Sequence, residues 1–314
     1  MRRLILGIIL VIVLSGAAHA QSDSQFSLFN FNTLSYNPAY AGSNEAICIT
    51  SVHRQQWVGF EGRPQTTVFG ADMPIPAISS GVGLIVLQDN IGFEKNLNIY
   101  ANYAYRLPLA VGNISFGVNL GIINKSIDGN WVSPESLRGQ MVFNDPVIPH
   151  MDSKMAFDAG FGVYYRFDNL YAGISSLHLL EPKFKFNAND EDQLYINRHY
   201  YLVGGYVYQL PNPTFELKPS VLVKTDFATV QFSINGQFIY NKQFWGGLTY
   251  RYNDAIIPMV GIHLMNGISV GYSYDIVLSD MASYQSGSHE IVISYCFNAN
   301  FSKTPGRYRS VRRL

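Results

Sequence analysis

Alternation of apolar and polar residues is the dominant pattern along the chain. From 114 to 122, Ile114, Phe116, Val118, Leu120 and Ile122 alternate with Ser115, Gly117, Asn119 and Gly121. The same period of two recurs at 155–165, 230–240, 268–276 and 291–297. It predicts β-strands with two unlike faces, and long helical patterns are missing almost everywhere. The polar partners are mostly Gly, Ser and Asn, where a soluble sandwich would carry more Lys, Glu and Thr. Small neutral residues suit a lumen, with the apolar set facing lipid. Fourteen strands are predicted: 47–56, 65–73, 80–88, 94–107, 112–124, 153–166, 169–177, 198–210, 214–225, 229–240, 243–252, 256–265, 267–277 and 287–297. Most approach the ~9–11 residues that cross a bilayer when tilted. The expected fold is all-β, a closed antiparallel transmembrane barrel of the outer-membrane type.

The connections support this reading. Links after strands 4, 6, 8, 10 and 12 are short, down to the Asn266-Gly267 turn, while those at 125–152, 178–197 and 278–286 are long. The links after strands 9 and 11 are short too, so the alternation is incomplete, yet every long link falls on one side. Outer-membrane barrels share this asymmetry, with tight periplasmic turns and longer extracellular loops. An even strand count then places both termini in the periplasm.

The start of the chain reads as an export signal. Arg2 and Arg3 precede the apolar run Leu4–Leu14, and Ala18-His19-Ala20 fits a cut before Gln21. An eleven-residue run is too short for a spanning helix. The expected organisation is a signal at 1–20, a periplasmic or plugging segment at 21–46, the barrel at 47–297 and a basic periplasmic tail at 298–314. Composition agrees. Charged residues are 14% of the chain, against roughly 25% in soluble domains. The balance of 22 basic and 22 acidic residues excludes a broadly basic nucleic-acid binder. Without residues 1–20 it becomes 20 against 22, or −2.

Chemical motifs are sparse. Cys48 opens the first strand and Cys296 closes the last, which are neighbours in a closed barrel. They read either as a disulfide stapling the closure seam or as two unrelated thiols. Gly267-Ile268-Ser269-Val270-Gly271 matches a hydrolase pattern but continues as a strand, where a nucleophile needs a strand-to-helix elbow. The acidic patch Asn187, Asn189, Asp190, Glu191 and Asp192 reads as a solvated loop tip or a calcium site without EF-hand spacing. His53, His150, His178, His199, His263 and His289 form no H-x-x-x-H pair, so no metal and no cofactor is assigned. Lys303, Arg307, Arg309, Arg312 and Arg313 make the tail basic, either uncommitted or docking an acidic partner, peptidoglycan or lipid headgroups.

Residues 26–76 carry Asn37-Pro38-Ala39-Tyr40-Ala41-Gly42, then Arg54-Gln55-Gln56-Trp57-Val58-Gly59-Phe60-Glu61-Gly62, then Pro64-Gln65-Thr66. In order and spacing this resembles the PorP/SprF family of type IX secretion outer-membrane proteins of Bacteroidetes. The resemblance implies a non-enzymatic outer-membrane barrel, embedded in lipid. It would assist secretion by binding adhesins through their C-terminal signal domains, as in gliding motility, or by binding periplasmic components of the machinery. Tyr36, Asn37, Pro38 and Tyr40 are the candidate partner-binding residues of the motif segment. Arg54, Trp57 and Arg63 are candidates because Arg and Trp are common interface anchors, and Arg307 and Arg309 are candidates in the tail. The competing expectation is a passive channel or a transporter of hydrophobic solutes.

Overall fold

The computed structural model describes residues 23–127, 152–186 and 194–298. Residues 1–20, most of the 125–152 link, the acidic patch at 187–192, and the tail with Arg307 and Arg309 lie outside the described residues.

Fourteen antiparallel strands form one closed sheet. They are β1 (Ile47–Gln55), β2 (Gln65–Ile75), β3 (Ser80–Ile91), β4 (Glu94–Pro108), β5 (Asn113–Ile127), β6 (Asp152–Phe167), β7 (Leu170–Leu177), β8 (His199–Tyr206), β9 (Phe215–Thr225), β10 (Val230–Tyr240), β11 (Phe244–Arg251), β12 (Ala255–His263), β13 (Ile268–Val277) and β14 (Ser288–Phe297). Each pairs with its sequence neighbours, and β1 pairs with β14 from Ile47↔Phe297 to Gln55↔His289. Closure leaves no unpaired sheet edge to aggregate. The strand expected at 198–210 breaks at Val207, whose N–H leaves the ladder to donate to the Asn169 carbonyl at 2.8 Å. Tyr208–Gln209 then resumes pairing with β9. Lys183–Phe184 and Leu194–Tyr195 form a short ribbon in the β7–β8 link, where the period of two gave no strand.

The alternation resolves into an outside and an inside. Phe116, Val118, Leu120 and Ile122 of β5 are exposed, while Ser115 and Asn119 are buried. On β10, Ile234 and Phe238 face out and Ser233, Asn235 and Gln237 face in. Exposed apolar side chains recur on strand after strand. That is a continuous apolar belt of the kind that faces lipid.

Residues 23–46 lie inside this barrel. Single-turn 3-10 helices at Phe29–Phe31 and Pro38–Tyr40 flank the short helix α1 (Thr33–Tyr36). Leu28, Leu34 and Ala41 share an apolar core with Val52, Val68, Ile85, Trp245 and Val292 of the wall. The segment's direction differs from expectation. Asp23 contacts His178 and Lys224, at the rim that carries the long links, whereas Ala46 precedes β1 at the short-turn rim. The chain therefore enters at the long-link rim and runs down the lumen before β1 begins. The N-terminal end of the described chain is not at the rim where β1 starts, because partners for Asp23 and Ser27 exist only at the opposite one.

Candidate functional site

The lumenal segment reaches every strand of the barrel. Near the long-link rim, Ser27 sits among four buried charges. Its Oγ donates to Asp275 Oδ1 at 2.7 Å and accepts from Arg54 Nη1 at 2.8 Å and Arg251 Nη2 at 3.1 Å. The Ser27 and Leu28 N–H groups donate to the two Glu290 oxygens at 2.7 and 2.8 Å. Arg54 pairs with Asp275 at 2.8 Å and Glu290 at 3.0 Å, and Arg251 pairs with Asp275 at 2.9 Å. Two guanidinium and two carboxylate groups balance, which is what permits charge inside a barrel wall. Midway, Asn30 donates to Ser220 and Asn235, and Phe31 stacks on Trp245 with ring centroids 5.0 Å apart.

Next comes Asn37-Pro38-Ala39-Tyr40-Ala41-Gly42. The Asn37 side chain accepts from the Ala39 N–H at 3.0 Å, capping the Pro38–Tyr40 turn, and donates to the Val163 carbonyl of β6 at 3.1 Å. Pro38 opens the turn, where a missing N–H costs nothing. Glycines of the wall make room for this backbone. A Cβ on Gly117 would lie 2.2 Å from the Ala39 nitrogen, and one on Gly81 would lie 2.1 Å from the Ala41 oxygen. The inward glycines of the alternating pattern are thus a socket for the motif, beyond being a lumen lining. Gly42 takes φ +71°, and its N–H donates to Asp72 Oδ2 at 2.8 Å.

The segment emerges at the short-turn rim, where the surface is concave. Recesses of about 260, 110 and 360 Å³ open there, all lined in part by Asn44. Arg106, Arg166 and Lys218 line the first two, with Asp168 and Glu45 as acidic neighbours, Glu45 pairing with Arg106 at 3.2 Å. Arg106 and Arg166 are tied to the segment, donating to the Gly42 carbonyl at 3.0 Å and the Ser43 carbonyl at 2.9 Å.

A family model described as type IX secretion system membrane protein PorP/SprF matches residues 18–295, which takes in the lumenal segment and the fourteen strands up to the last two residues of β14. The chain belongs to the PorP/SprF family. No curated protein matches it. Among solved structures it is similar to the outer-membrane protein Omp33 of Acinetobacter baumannii, at 6% identity and TM-score 0.48, covering 81% of this chain and 98% of that one. It is also similar to a TodX deltaS2S3 mutant monoaromatic hydrocarbon channel, at 9% identity and TM-score 0.48, covering 85% and 94%. The toluene transporter TbuX of Ralstonia pickettii is similar at 10% identity and TM-score 0.47, covering 85% and 93%.

Within this PorP/SprF barrel the expected partner-binding residues do not form one surface. Tyr36, Asn37 and Pro38 are buried in the lumen. Tyr36 stacks on Tyr201 at 5.6 Å. Tyr40 is set edge-on to Tyr164, with ring centroids 5.4 Å apart. Arg54 is only 2% exposed. An anchor for a separate partner needs an exposed guanidinium; contrary to the expectation, Arg54 binds the chain's own segment through Ser27. Trp57 and Arg63 are partly exposed in the β1–β2 link, at the rim opposite the mouth. Cys48 and Cys296 face each other in the β1–β14 pair with their sulfurs 2.07 Å apart. The hydrolase-like pattern begins at Gly267 in a turn with φ +90° and runs into β13. Sequence reading passed over Ser27, Arg251, Asp275 and Glu290. Arg251, Asp275 and Glu290 are charges on the inward phase of their strands, clearest at Asp275, whose inward neighbours Gly271 and Ser273 are small and neutral. Ser27, outside every strand, carries no such signal.

Proposed function

We propose that the chain is a non-enzymatic outer-membrane barrel of the type IX secretion system. It holds specific secreted adhesins by their C-terminal signal domains, or components of the periplasmic machinery, and so supports secretion and surface attachment. The observation that carries this reading is the division of labour inside the barrel. The lumen is occupied by residues 23–46, which suits a scaffold better than an open conduit. The short-turn mouth stays concave and basic. In barrels of this type short turns face the periplasm, where cargo and machinery meet. Arg106, Arg166 and Lys218 at that mouth are the binding groups of the proposal, with Asn44 and Glu45 at the end of the segment.

Deletion in the native host is the direct test. One or a few adhesins should be lost from the cell surface while general secretion continues. An unchanged surface proteome would overturn the proposal. A steady, open conductance of the unmodified barrel in planar bilayers would favour a passive channel instead.

A further inference from the structure

Asp23, His178 and His199 come from three parts of the chain: the start of the lumenal segment, the β7–β8 link and the first residue of β8. One ring nitrogen of each histidine and one carboxylate oxygen lie within 4.8 Å of one another. His178 Nε2 and Asp23 Oδ1 are 3.4 Å apart. A tetrahedral ion with ligands at ~2.0–2.1 Å sets neighbouring donor atoms about 3.3–3.4 Å apart.

The surrounding groups prepare these atoms for a ligand. His178 Nδ1 faces Asp158 Oδ2 at 2.6 Å, and His199 Nδ1 faces the Asn197 carbonyl at 3.0 Å. A carboxylate or carbonyl behind the far ring nitrogen is the usual outer arrangement of a metal-binding imidazole. It fixes the tautomer that leaves Nε2 to bind. His199 is 1% exposed, and its Nε2 is buried without a hydrogen-bond partner. On Asp23, Tyr201 donates its hydroxyl to Oδ2, and Lys224 donates to the backbone carbonyl at 2.7 Å. Among the described residues Oδ1 faces His178, and the Lys224 ammonium is held on the carbonyl.

We propose that Asp23, His178 and His199 bind one divalent transition-metal ion, zinc fitting best, which clasps the start of the lumenal segment to the barrel wall. Two imidazoles and one carboxylate suit zinc, whereas calcium and magnesium prefer all-oxygen sites. A water completes the shell. A cavity of about 50 Å³ borders the cluster on its Asp23 side, where Tyr201 and Lys224 also line it, and is large enough to hold a water.

The test uses the full chain, purified in detergent, stripped with EDTA and titrated with zinc chloride. Mass spectrometry of metal content should find one zinc per barrel. Cobalt(II) in its place should give the visible band of a low-coordinate nitrogen–oxygen site. His199→Gln and Asp23→Asn should each weaken binding roughly tenfold or more. Heat-modifiable migration on a gel reports whether each variant is folded, and Asp23 lies outside every strand. A folded wild-type barrel that takes up no zinc, the space between Asp23 and His178 then holding only a proton, overturns the proposal. So do folded variants that bind zinc as tightly as the wild type.

Discussion

The backbone N–H of Ser27 donates to Glu290 Oε2 at 2.7 Å, joining residues 263 positions apart. Glu290 is fully buried, and its other oxygen accepts from the Leu28 N–H at 2.8 Å. One side chain of the last strand thus holds the lumenal segment by two bonds while pairing with Arg54. Glu290→Ala removes both anchors and leaves Arg54 with Asp275 as its one carboxylate partner among the described residues, beside the Ser27 hydroxyl. Breaking a buried pair from one side costs ~3–5 kcal/mol. The expected result is faster protease cleavage within residues 23–46 while the barrel itself remains folded. Adding Arg54→Met, which removes the stranded charge, should recover part of the loss in a chemical-denaturation midpoint.

Gly117 tests the socket. A side chain there meets the Ala39 backbone at 2.2 Å, and backbone yields less easily than a flexible side chain. Gly117→Val should displace the segment at a cost of at least ~3 kcal/mol, above the usual ~1–3 kcal/mol of overpacking. In planar bilayers it should conduct more than the unmodified barrel. Gly236→Val is the control, because a Cβ at that exposed position meets nothing within 4 Å. Equal conductance in the two variants would remove the socket explanation.

The Cys48–Cys296 bond joins the ends of the barrel across 248 residues. Chain-entropy arguments give long closed loops a stabilisation of ~4–5 kcal/mol, of which native disulfides commonly deliver ~2–4. Alkylation without reductant should leave both cysteines unmodified. The double Cys→Ser variant should unfold at lower denaturant, with β1 and β14 exchanging amide hydrogens first. Free thiols in the folded protein would rule the seam staple out.

The basic mouth makes a separate prediction. Arg166 and Arg106 line the recess of about 260 Å³ and also donate to segment carbonyls. Arg166→Glu should reduce co-purification of secretion-system partners by tenfold or more, while heat-modifiable migration of the barrel is retained. Lys218→Ala changes the adjoining recess of about 110 Å³, which Arg166 also lines, without touching a segment hydrogen bond, and should show a smaller loss of the same kind. Full partner recovery with both variants would place the binding surface elsewhere.

Much of this molecule was already determined by its one-dimensional pattern. Strand alternation is local: Phe116 and Ser115 must face opposite ways in any extended backbone. The period of two, the small inward residues and the one-sided long links therefore fixed strand positions to within a few residues and gave a closed barrel. Asn37-Pro38 likewise dictates its own turn, through a capping side chain and a ring that suits a first helical position.

Tertiary structure alone decided what fills the barrel. Glu290 belongs with Ser27, Gly117 with Ala39 and His199 with Asp23. Each pair joins distant parts of the chain, and no periodicity relates them. The inward glycines read as lumen lining because a missing side chain looks the same whether water or backbone occupies the space. Arg54 read as an exposed anchor because the sequence does not reveal that Asp275 and Glu290 converge on it. The direction of the segment was hidden for the same reason. Charge pairing at the long-link rim draws Asp23 and Ser27 up the lumen, and those partners exist only once the sheet has closed.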